Sequence, residues 1–548
     1  MKEQVLETLK KEYDAKTLLQ INDLMGFETS EELKDLQDVL EELVKDYVVY
    51  KTKKDKYILL ANCPSLKIGK YQANKKGFGF VLLNKEDDLY ISGENSNGAI
   101  DGDIVLAEVL NKGIKPEGHI IKIIERNLHN LVGEIVSFKK GLGLKLDDER
   151  LDLNIKLDKK SLQGCVVGHK VLVKLTKEIG RKKYLGEVIK ILGHKDDPGT
   201  DILSIAYKYD IEPDFSAETK EELLSLPEEV SPADLIGRRN LTDKMIFTID
   251  GAHTKDIDDA ISLEKDGSNY ILGVHIADVS NYVKENTGLG NDAYERGTSN
   301  YLANTVIPML PHQLSNGICS LNEGVIRLTM SCVMTINEKG KVIDYDIFES
   351  YIKSSKKMTY EAVNDILMRD IIPDGYEPFA DTLKEMNTLA HILRKEKMER
   401  GYIDFNLDEP EIIQDENGKA IDIVRVVRED GEKMIEDFMI AANETVASHI
   451  YNMDLPFIYR VHGAPNSDKI DDFTNLLKAL GYTLKTRTLD MTPKTMQNIL
   501  EELDDKPEFK ILSSLLLRSM RKAEYSKENI GHFGLASKAY THFTSPIR

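Results

Sequence analysis

The sequence has few cysteines, no long apolar run and no segment typical of an export signal. Its four cysteines are isolated, with no CxxC pair and no histidine at zinc-binding spacing. A disulfide framework and a zinc site are therefore both excluded as the basis of the fold. No run of about 18 apolar residues occurs, and the first residues lack the apolar stretch of a signal peptide. We expect a cytoplasmic protein that does not associate with membranes.

Basic residues are also scarce relative to acidic ones, which at first argues against a nucleic-acid partner. The 548 residues include 73 Lys and Arg against 93 Asp and Glu, a formal net charge of −20. Residues 66–195 nevertheless carry 24 basic and 17 acidic residues, a net charge of +7, whereas residues 196–548 carry 39 and 62, a net charge of −23. A basic segment in an acidic protein indicates a polyanion-binding region, although a solvated basic face has the same composition.

Residues 1–62 have the pattern of a small helical module that ends in a hairpin. Apolar residues recur at three- and four-residue spacing as far as Leu43, which predicts helices, and Thr29 is a candidate N-cap. Short strands at 47–50 and 57–60 follow, joined by a lysine-rich turn. Helices followed by a basic-tipped hairpin are typical of a winged helix, a module that contacts nucleic acid in some proteins and protein in others.

Two similar all-β units follow, and we expect them at residues 66–128 and 129–195. In each unit, short strands alternate with Gly, Asn and Asp turns, and one strand contains a Gly-x-Gly sequence. The strand of the first unit resembles the nucleic-acid-binding strand of cold-shock domains, which are OB-folds. The second unit keeps the glycines but has leucines where the first has phenylalanines. The sequence therefore predicts tandem OB-fold barrels, followed by a linker at 196–236 that contains proline breakers.

Phe78 and Phe80 are the candidate nucleic-acid-binding residues of the first unit. They lie two residues apart, on one face of a strand, and Lys75 and Lys76 precede them. Aromatic side chains among lysines suit single-stranded nucleic acid, because every base offers a ring and every linkage a negative charge. The alternative is that Phe80, and Phe138 of the second unit, fill the barrel cores.

A cluster of acids is the most informative feature of the chain. Asp250, Asp256, Asp258 and Asp259 fall within ten residues beside apolar, β-branched strands. Such carboxylates repel one another unless cations neutralise them, and oxygen ligands with open positions suit Mg²⁺ or Mn²⁺. Two such ions can activate water for phosphodiester hydrolysis. An EF-hand is excluded because the required glycine and glutamate are missing, which leaves a solvated acidic turn as the alternative.

Several motifs, taken in their order along the chain, resemble those of one enzyme family. They cover residues 248–260, 274–280, 300–311, 314–321, 435–444, 459–462 and 532–548. Together they closely resemble the catalytic RNB domain of the ribonuclease II/ribonuclease R family. The resemblance covers almost the whole chain and favours the ribonuclease R type. It implies a multidomain α+β protein with a winged helix, two cold-shock-like barrels and a mixed α+β RNB domain at 237–548.

This resemblance implies a Mg²⁺-dependent 3′→5′ exoribonuclease that acts processively in RNA turnover and releases 5′-nucleoside monophosphates. The implied partner is single-stranded RNA threaded into a narrow channel, with structured RNA carrying a 3′ overhang as a further substrate. We expect a monomer, with Mn²⁺ as a possible substitute ion. The four aspartates would hold the metal and its water, and Asp258 is the candidate for the most critical position. The alternative is a non-catalytic RNA-binding or remodelling protein, which need not keep four acids at this spacing.

The same resemblance assigns roles to four further residues. Tyr301 would contact the terminal nucleotide, and Tyr360 and Phe405 would clamp the last bases by stacking. The alternative for each of these aromatic residues is a place in the hydrophobic core. Arg548 would bind the scissile phosphate with its planar guanidinium. Family members continue beyond this arginine, so the resemblance predicts a chain cut short at its C-terminus, with activity expected of the longer protein.

The basic segment predicts a measurable salt dependence. Residues 66–195, produced alone, should bind single-stranded RNA with an affinity that falls steeply with salt, because bound lysines displace counterions. We expect the logarithm of the binding constant to fall with a slope of about −0.7 per phosphate contact, measured by fluorescence anisotropy from about 50 to about 200 mM salt. A flat response would show that this segment does not hold phosphate.

Overall fold

The computed structural model describes residues 1–545 except 53, 84–87, 112–115, 128–130, 139–140, 152, 181, 303–304, 406–408, 416–419 and 483–490. The chain divides into two compact units, an N-terminal unit, Met1–Glu212, and a C-terminal unit, Pro213–Arg548. Across the described ranges, no helix is both long enough and apolar enough to cross a bilayer.

The N-terminal unit begins with three helices and a small antiparallel sheet. These elements are α1 (Lys2–Lys11), β1 (Lys16–Thr17), α2 (Leu18–Met25), α3 (Ser30–Lys45), β2 (Val49–Lys51) and β3 (Lys56–Leu59), with the strand order β1-β3-β2. Thr29 caps α3 as predicted, because its hydroxyl accepts from the N–H of Glu32 while the Glu32 carboxylate accepts from the N–H of Thr29. The order of helices and hairpin is the one predicted for a winged helix.

The next five strands close into a barrel. They are β4 (Leu66–Ala73), β5 (Gly79–Leu82), β6 (Leu89–Ile91), β7 (Ile104–Asn111) and β8 (Glu117–Glu125), in the order β4-β5-β6-β8-β7. Tyr71 and Val81 lie in the barrel core. Phe80 alternates with Val81 along β5 and is half-buried outside that core, as is Phe78. The predicted first barrel is confirmed, and the alternative that Phe80 fills its core is wrong.

The second all-β region is a five-stranded sheet with a helix packed against it. Its strands are β9 (Leu131–Phe138), β10 (Gly141–Leu146), β11 (Asn154–Leu157), β12 (His169–Gly180) and β13 (Lys183–His194), in the order β10-β9-β12-β13-β11. Within its described residues this ladder does not close into a barrel. Phe138 is 61% exposed, so a core role for it is wrong.

The region predicted as a linker, 196–236, is largely packed instead. Helix α4 (Thr200–Lys208) places Tyr207 against Val132 and Leu172 of the second sheet. In the C-terminal unit, α5 (Ala217–Glu222) contacts α6 (Gly288–Arg296), and the carboxylate of Glu222 accepts from the N–H of Leu289. Pro227 follows a short helix that ends at Ser225, and Pro232 begins another one. The boundary between the two units, at Glu212 and Pro213, nevertheless lies within this region.

A five-stranded sheet with the order β14-β21-β20-β17-β16 forms the centre of the C-terminal unit. The strands of this unit are β14 (Arg239–Asn240), β15 (Thr248–Asp250), β16 (Asp259–Asp266), β17 (Asn269–Ala277), β18 (Asn300–Leu302), β19 (Thr305–Ile307), β20 (Ile326–Ile336), β21 (Val342–Lys353), β22 (Lys357–Thr359), β23 (Glu409–Gln414), β24 (Ala420–Val426), β25 (Tyr459–Val461) and β26 (Glu524–Ser526). The shorter ladders are β15-β22, β18-β19, β23-β24 and β25-β26.

Helices cover this sheet and form a second, smaller core beside it. The remaining helices are α7 (Tyr360–Met368), α8 (Ala380–Arg400), α9 (Asp430–Asn452), α10 (Ser467–Ala479), α11 (Pro493–Leu503) and α12 (Phe509–Ser519). The main core joins residues of β16, β17 and β20 to α7, α8 and α9. Helices α10, α11 and α12 enclose their own cluster. The mixed α+β architecture predicted for this region is confirmed.

An ion cluster joins α8 to α9 inside the C-terminal unit. Asp437 is 4% exposed, and its two oxygens lie 2.8 Å from Lys397 Nζ and 2.9 Å from Arg394 Nε. Burial raises the pKa of Asp437, and the two cations oppose that rise. Lys397 is buried as well, so water solvates neither its charge nor that of Asp437. The carboxylate and its cations therefore stabilise one another.

Replacing Asp437 with alanine should therefore lower the free energy of unfolding of the C-terminal unit by about 3–5 kcal/mol, since two cations would lose their carboxylate. The exposed pair Lys244–Glu264, 2.7 Å apart, provides the control. Glu264→Ala should change the free energy of unfolding by less than about 0.5 kcal/mol. Urea unfolding followed by circular dichroism measures both values, and similar losses for the two variants would contradict the expectation.

Candidate active site

The four predicted aspartates lie at the ends of two neighbouring strands. Asp250 is the last residue of β15, Asp259 is the first residue of β16, and Asp256 and Asp258 lie in the loop between them. Strand β15 pairs in parallel with β22, and β16 pairs in antiparallel with β17. Ile257, in the same loop, is fully buried. Strand pairing and apolar burial therefore hold the acids close together in spite of their charge.

A cavity of about 1120 Å³ lies over this loop. Of the predicted site residues, it is lined by Asp256, Asp258, Asp259 and Tyr301. The same loop adds His253 and Lys255, and other elements add further polar side chains to the wall, among them Ser299, His312, Asn316, Glu411 and Thr544. The structure thus brings three of the four aspartates and one of the three predicted nucleotide-contacting aromatics to a single open space.

Burial and mutual repulsion change the acidity of two aspartates. Burial raises the pKa of Asp250 to about 6; Lys357 opposes the rise and Asp256 adds to it. The pKa of Asp259 rises to about 8, because its half-buried carboxyl is poorly solvated and lies near Asp250 and Asp258. In the absence of a cation, both carboxylates therefore hold protons at pH values where an ordinary aspartate is ionised.

The site offers oxygen ligands for a divalent cation but not a closed cage. One oxygen of Asp250 is buried and has no hydrogen-bond partner. Such an oxygen is suited to bind a cation. Among the residues that the structure describes, no three His, Cys, Asp or Glu side chains converge as a metal-binding group. Mg²⁺ is commonly held by one or two carboxylates together with waters and substrate phosphates. The aspartates that line the cavity are therefore ligands of the type that Mg²⁺ binds.

Tyr301 and Tyr360 both lie near the acids but in different surroundings. Tyr301, in β18, is 59% exposed, and its hydroxyl donates to Asp256 Oδ2 over 3.4 Å. Its alternative role in the core is therefore wrong. Tyr360 begins α7, is half-buried against the main core and does not line the cavity. Burial raises its pKa, as do Asp259 and Asp250, so its hydroxyl is close to the same charges.

Phe405 and Arg548 are the other two residues predicted for the RNA end. Phe405 packs against the cluster formed by α10, α11 and α12 and is absent from the cavity lining. Its role in stacking stays a prediction, beside a packing role that the structure shows. Arg548 lies outside the described residues, and its predicted contact with phosphate stays a prediction.

The N-terminal unit carries an aromatic surface on the first barrel. The rings of Phe78 and Phe80 lie 5.8 Å apart, and Tyr90 lies 5.5 Å from Phe78 and 5.8 Å from Phe80. Lys75 and Lys76 are exposed in the turn that precedes Phe78. These residues form a surface with the rings and charges that single-stranded nucleic acid requires.

Three features of the cavity and of the aromatic surface were not predicted from the sequence. Tyr90 joins the aromatic surface because it pairs with Phe80 across two strands, and its place between Leu89 and Ile91 was the available signal. Lys357 reaches the loop from β22 and donates from Nζ to the carbonyl oxygen of Thr254. The pair His312 and Asn316, 3.2 Å apart, adds polar groups to the cavity wall. The contact of Lys357 with Thr254 joins residues 103 positions apart, so the sequence offers no local pattern for it.

Three protein families match successive parts of the chain. The Ribonuclease B OB domain matches residues 69–123, the Cold shock domain matches residues 144–216, and the RNB domain matches residues 238–548. The last match covers more than half of the chain. The predictions of cold-shock-like OB domains followed by an RNB domain are confirmed.

Relatives and solved structures agree with these matches. Ribonuclease R of Thermotoga maritima is 41% identical over 98% of this chain and 77% of its own length. Ribonuclease R 1 of Lactococcus lactis is 40% identical over 88% of this chain, which spans 61% of that relative.

Two solved structures of RNase R from Mycoplasma genitalium share the fold at 30% identity. The complex with ribose methylated single-stranded RNA has a TM-score of 0.83 and covers 88% of this chain and 77% of its own. The complex with double-stranded RNA has a TM-score of 0.76 and covers 83% and 78%. With an RNB domain over its last 311 residues and relatives of this identity, the chain belongs to the ribonuclease R family.

Proposed function

We propose that this chain is a 3′→5′ exoribonuclease that hydrolyses RNA to 5′-nucleoside monophosphates with a divalent cation, Mg²⁺ or Mn²⁺. The observation that carries the proposal is the cavity lined by Asp256, Asp258, Asp259 and Tyr301, in a chain of the ribonuclease R family. We extend the proposal to processive action in RNA turnover, as a monomer in the cytoplasm.

Single-stranded RNA is the proposed substrate, and structured RNA with a 3′ overhang is a further one. The related protein of Mycoplasma genitalium has been solved with single-stranded and with double-stranded RNA. In this chain, the aromatic surface of Phe78, Phe80 and Tyr90 supports the same ligand class, because bases stack on aromatic rings without regard to their sequence. The exposed Lys75 and Lys76 add charge that attracts phosphates.

The residues at the cavity have different roles in the proposed reaction. A bound Mg²⁺ supplies a Lewis acid and a water of lowered pKa. Asp256, Asp258 and Asp259, which line the cavity, would hold the ion, and Asp250 would add an oxygen that has no hydrogen-bond partner. The hydroxyl of Tyr301, held by Asp256, is placed to orient a terminal nucleotide.

A non-catalytic RNA-binding protein is the second candidate. The aromatic surface of the first barrel would serve such a protein equally well, and no group of three metal-binding side chains converges within the described ranges. The two candidates differ in whether the protein hydrolyses RNA. Only the enzyme would do so, and its hydrolysis would depend on the charge of the aspartates.

Asp258→Asn should abolish most RNA hydrolysis, because it removes a charge from the proposed ion site while it preserves the shape of the side chain. A loss of about 3 kcal/mol of transition-state stabilisation corresponds to a rate lower by about 100-fold. The measurement is the release of labelled mononucleotides from 3′-labelled single-stranded RNA in the presence of Mg²⁺.

Asp266→Asn is the matched control, because Asp266 is an exposed aspartate at the far end of β16. It should leave the rate of hydrolysis unchanged. Equal, slow loss of RNA with wild type and Asp258→Asn would contradict the catalytic assignment and favour the RNA-binding candidate.

The raised pKa values predict how pH and cation together affect stability. Asp250 and Asp259 have pKa values of about 6 and about 8 in the folded chain, against an ordinary value of 3.8. The folded chain therefore binds more protons than the unfolded chain between about pH 4 and about pH 8, and these two groups lower its stability as pH rises through that range.

A cation that replaces these protons should stabilise the protein more at about pH 8 than at about pH 6. Thermal unfolding with and without Mg²⁺ measures the difference. Asp259→Asn, which cannot titrate, should lose most of the pH dependence. An equal rise in Tm at both pH values in the wild-type protein would contradict this account of the buried carboxylates.

A further inference from the structure

Ser320 is a buried serine whose hydroxyl contacts the backbone on both sides of Asp256. Its Oγ donates to the carbonyl oxygen of Lys255 over 2.8 Å and accepts from the N–H of Ile257 over 3.2 Å. The residue is 1% exposed, so water does not compete for either bond. One side chain thus determines where the two peptide groups that flank a cavity-lining aspartate can lie.

Ser320 is itself held in place from the opposite side. Arg327, which is nearly buried, donates from Nε to the carbonyl oxygen of Ser320 over 2.9 Å and from Nη2 to that of Gly317 over 3.2 Å. The next residue, Leu321, donates its N–H to the carbonyl oxygen of Ile257 over 3.0 Å. The serine therefore belongs to a rigid support and does not follow the loop passively.

Other bonds hold the two ends of the same loop. Lys357 donates to the carbonyl oxygen of Thr254, and the N–H of Ala277 donates to the carbonyl oxygen of Asp258 over 2.9 Å. Ser320 holds the centre, between these two anchors. Without its hydroxyl, a partly buried carbonyl and a buried N–H would lose their partner at the point where the neighbouring carboxylates already repel one another.

We propose that Ser320 is a positioning residue for the metal-binding loop, which fixes Asp256 and Asp258 in the geometry that binds a divalent cation. The inference rests on the function proposed above for its link to RNA hydrolysis. Its physical basis is pre-organisation: a loop already held in its binding geometry loses less conformational entropy when the cation arrives. Residues that orient metal ligands without touching the metal commonly change metal affinity or activity by about 10- to 100-fold.

The test compares Ser320→Ala with Ser350→Ala in the full chain. Ser350, in β21, is also fully buried, and its hydroxyl lies 2.6 Å from that of Ser331 and 2.7 Å from that of Thr329. Both variants remove a buried hydroxyl from the same unit, but only the first removes a hydroxyl that bonds to the loop. Mn²⁺ is the probe, and its binding is measured by electron paramagnetic resonance of the free ion, independently of RNA hydrolysis.

Ser320→Ala should weaken Mn²⁺ binding by about 10- to 100-fold and shift the Mn²⁺ dependence of RNA hydrolysis by a similar factor. Ser350→Ala should lower Tm yet leave the Mn²⁺ affinity within about twofold of the wild-type value. Should Ser320→Ala fail to fold, Ser320→Cys retains an acceptor and a weak donor of similar length, and it should show a smaller loss in the same direction.

The proposal is overturned if the wild-type chain binds no Mn²⁺, or if a folded Ser320→Ala binds it as tightly as Ser350→Ala does. The function proposed above fails separately. If the wild-type chain binds Mn²⁺ but hydrolyses no RNA, and Ser320→Ala still weakens that binding, the exoribonuclease assignment is wrong while the positioning role of Ser320 stands.

Discussion

The C-terminal unit has to hold several carboxylates close together although they repel one another. Asp250 and Asp259 lie at strand ends that the hydrophobic core requires, so they cannot move apart without loss of strand pairing. The fold opposes this repulsion with protons on the buried acids, with Lys357 nearby, and with hydrogen bonds to the backbone of the loop. A cation in the cavity would act on the same charges, which is why the chemistry and the fold depend on one interaction.

The overall negative charge and an RNA substrate are compatible once the charges are assigned to their units. The first barrel offers rings and exposed lysines, whereas the acids of the C-terminal unit include the group that lines the cavity. An acidic cavity alone would repel a phosphate chain, and a divalent ion of opposite charge removes that repulsion where hydrolysis would occur. The net charge of the whole chain therefore describes neither the first barrel nor the cavity.

The sequence predicted the features that depend on near neighbours in the chain. The cap at Thr29, the alternation around Phe80 and the acids of the loop are all set by residues a few positions apart. It did not predict contacts such as Ser320 with Lys255, which join residues 65 positions apart and leave no periodic signal. The packing of the helix at 200–208 within the predicted linker was missed for a similar reason, because that helix is stabilised by distant strands.

The unpaired oxygen of Asp250 has a consequence beyond catalysis. A buried carboxylate oxygen without a hydrogen-bond partner destabilises the folded protein, and a cation bound there under the proposed function would add its binding free energy to that of folding. Proteases in a cell act mainly on opened or unfolded forms, whose population falls as that free energy grows. Under the proposed function, the cellular lifetime of the enzyme would follow the supply of free divalent ions, so that the same ion would govern how fast each molecule works and how many molecules persist.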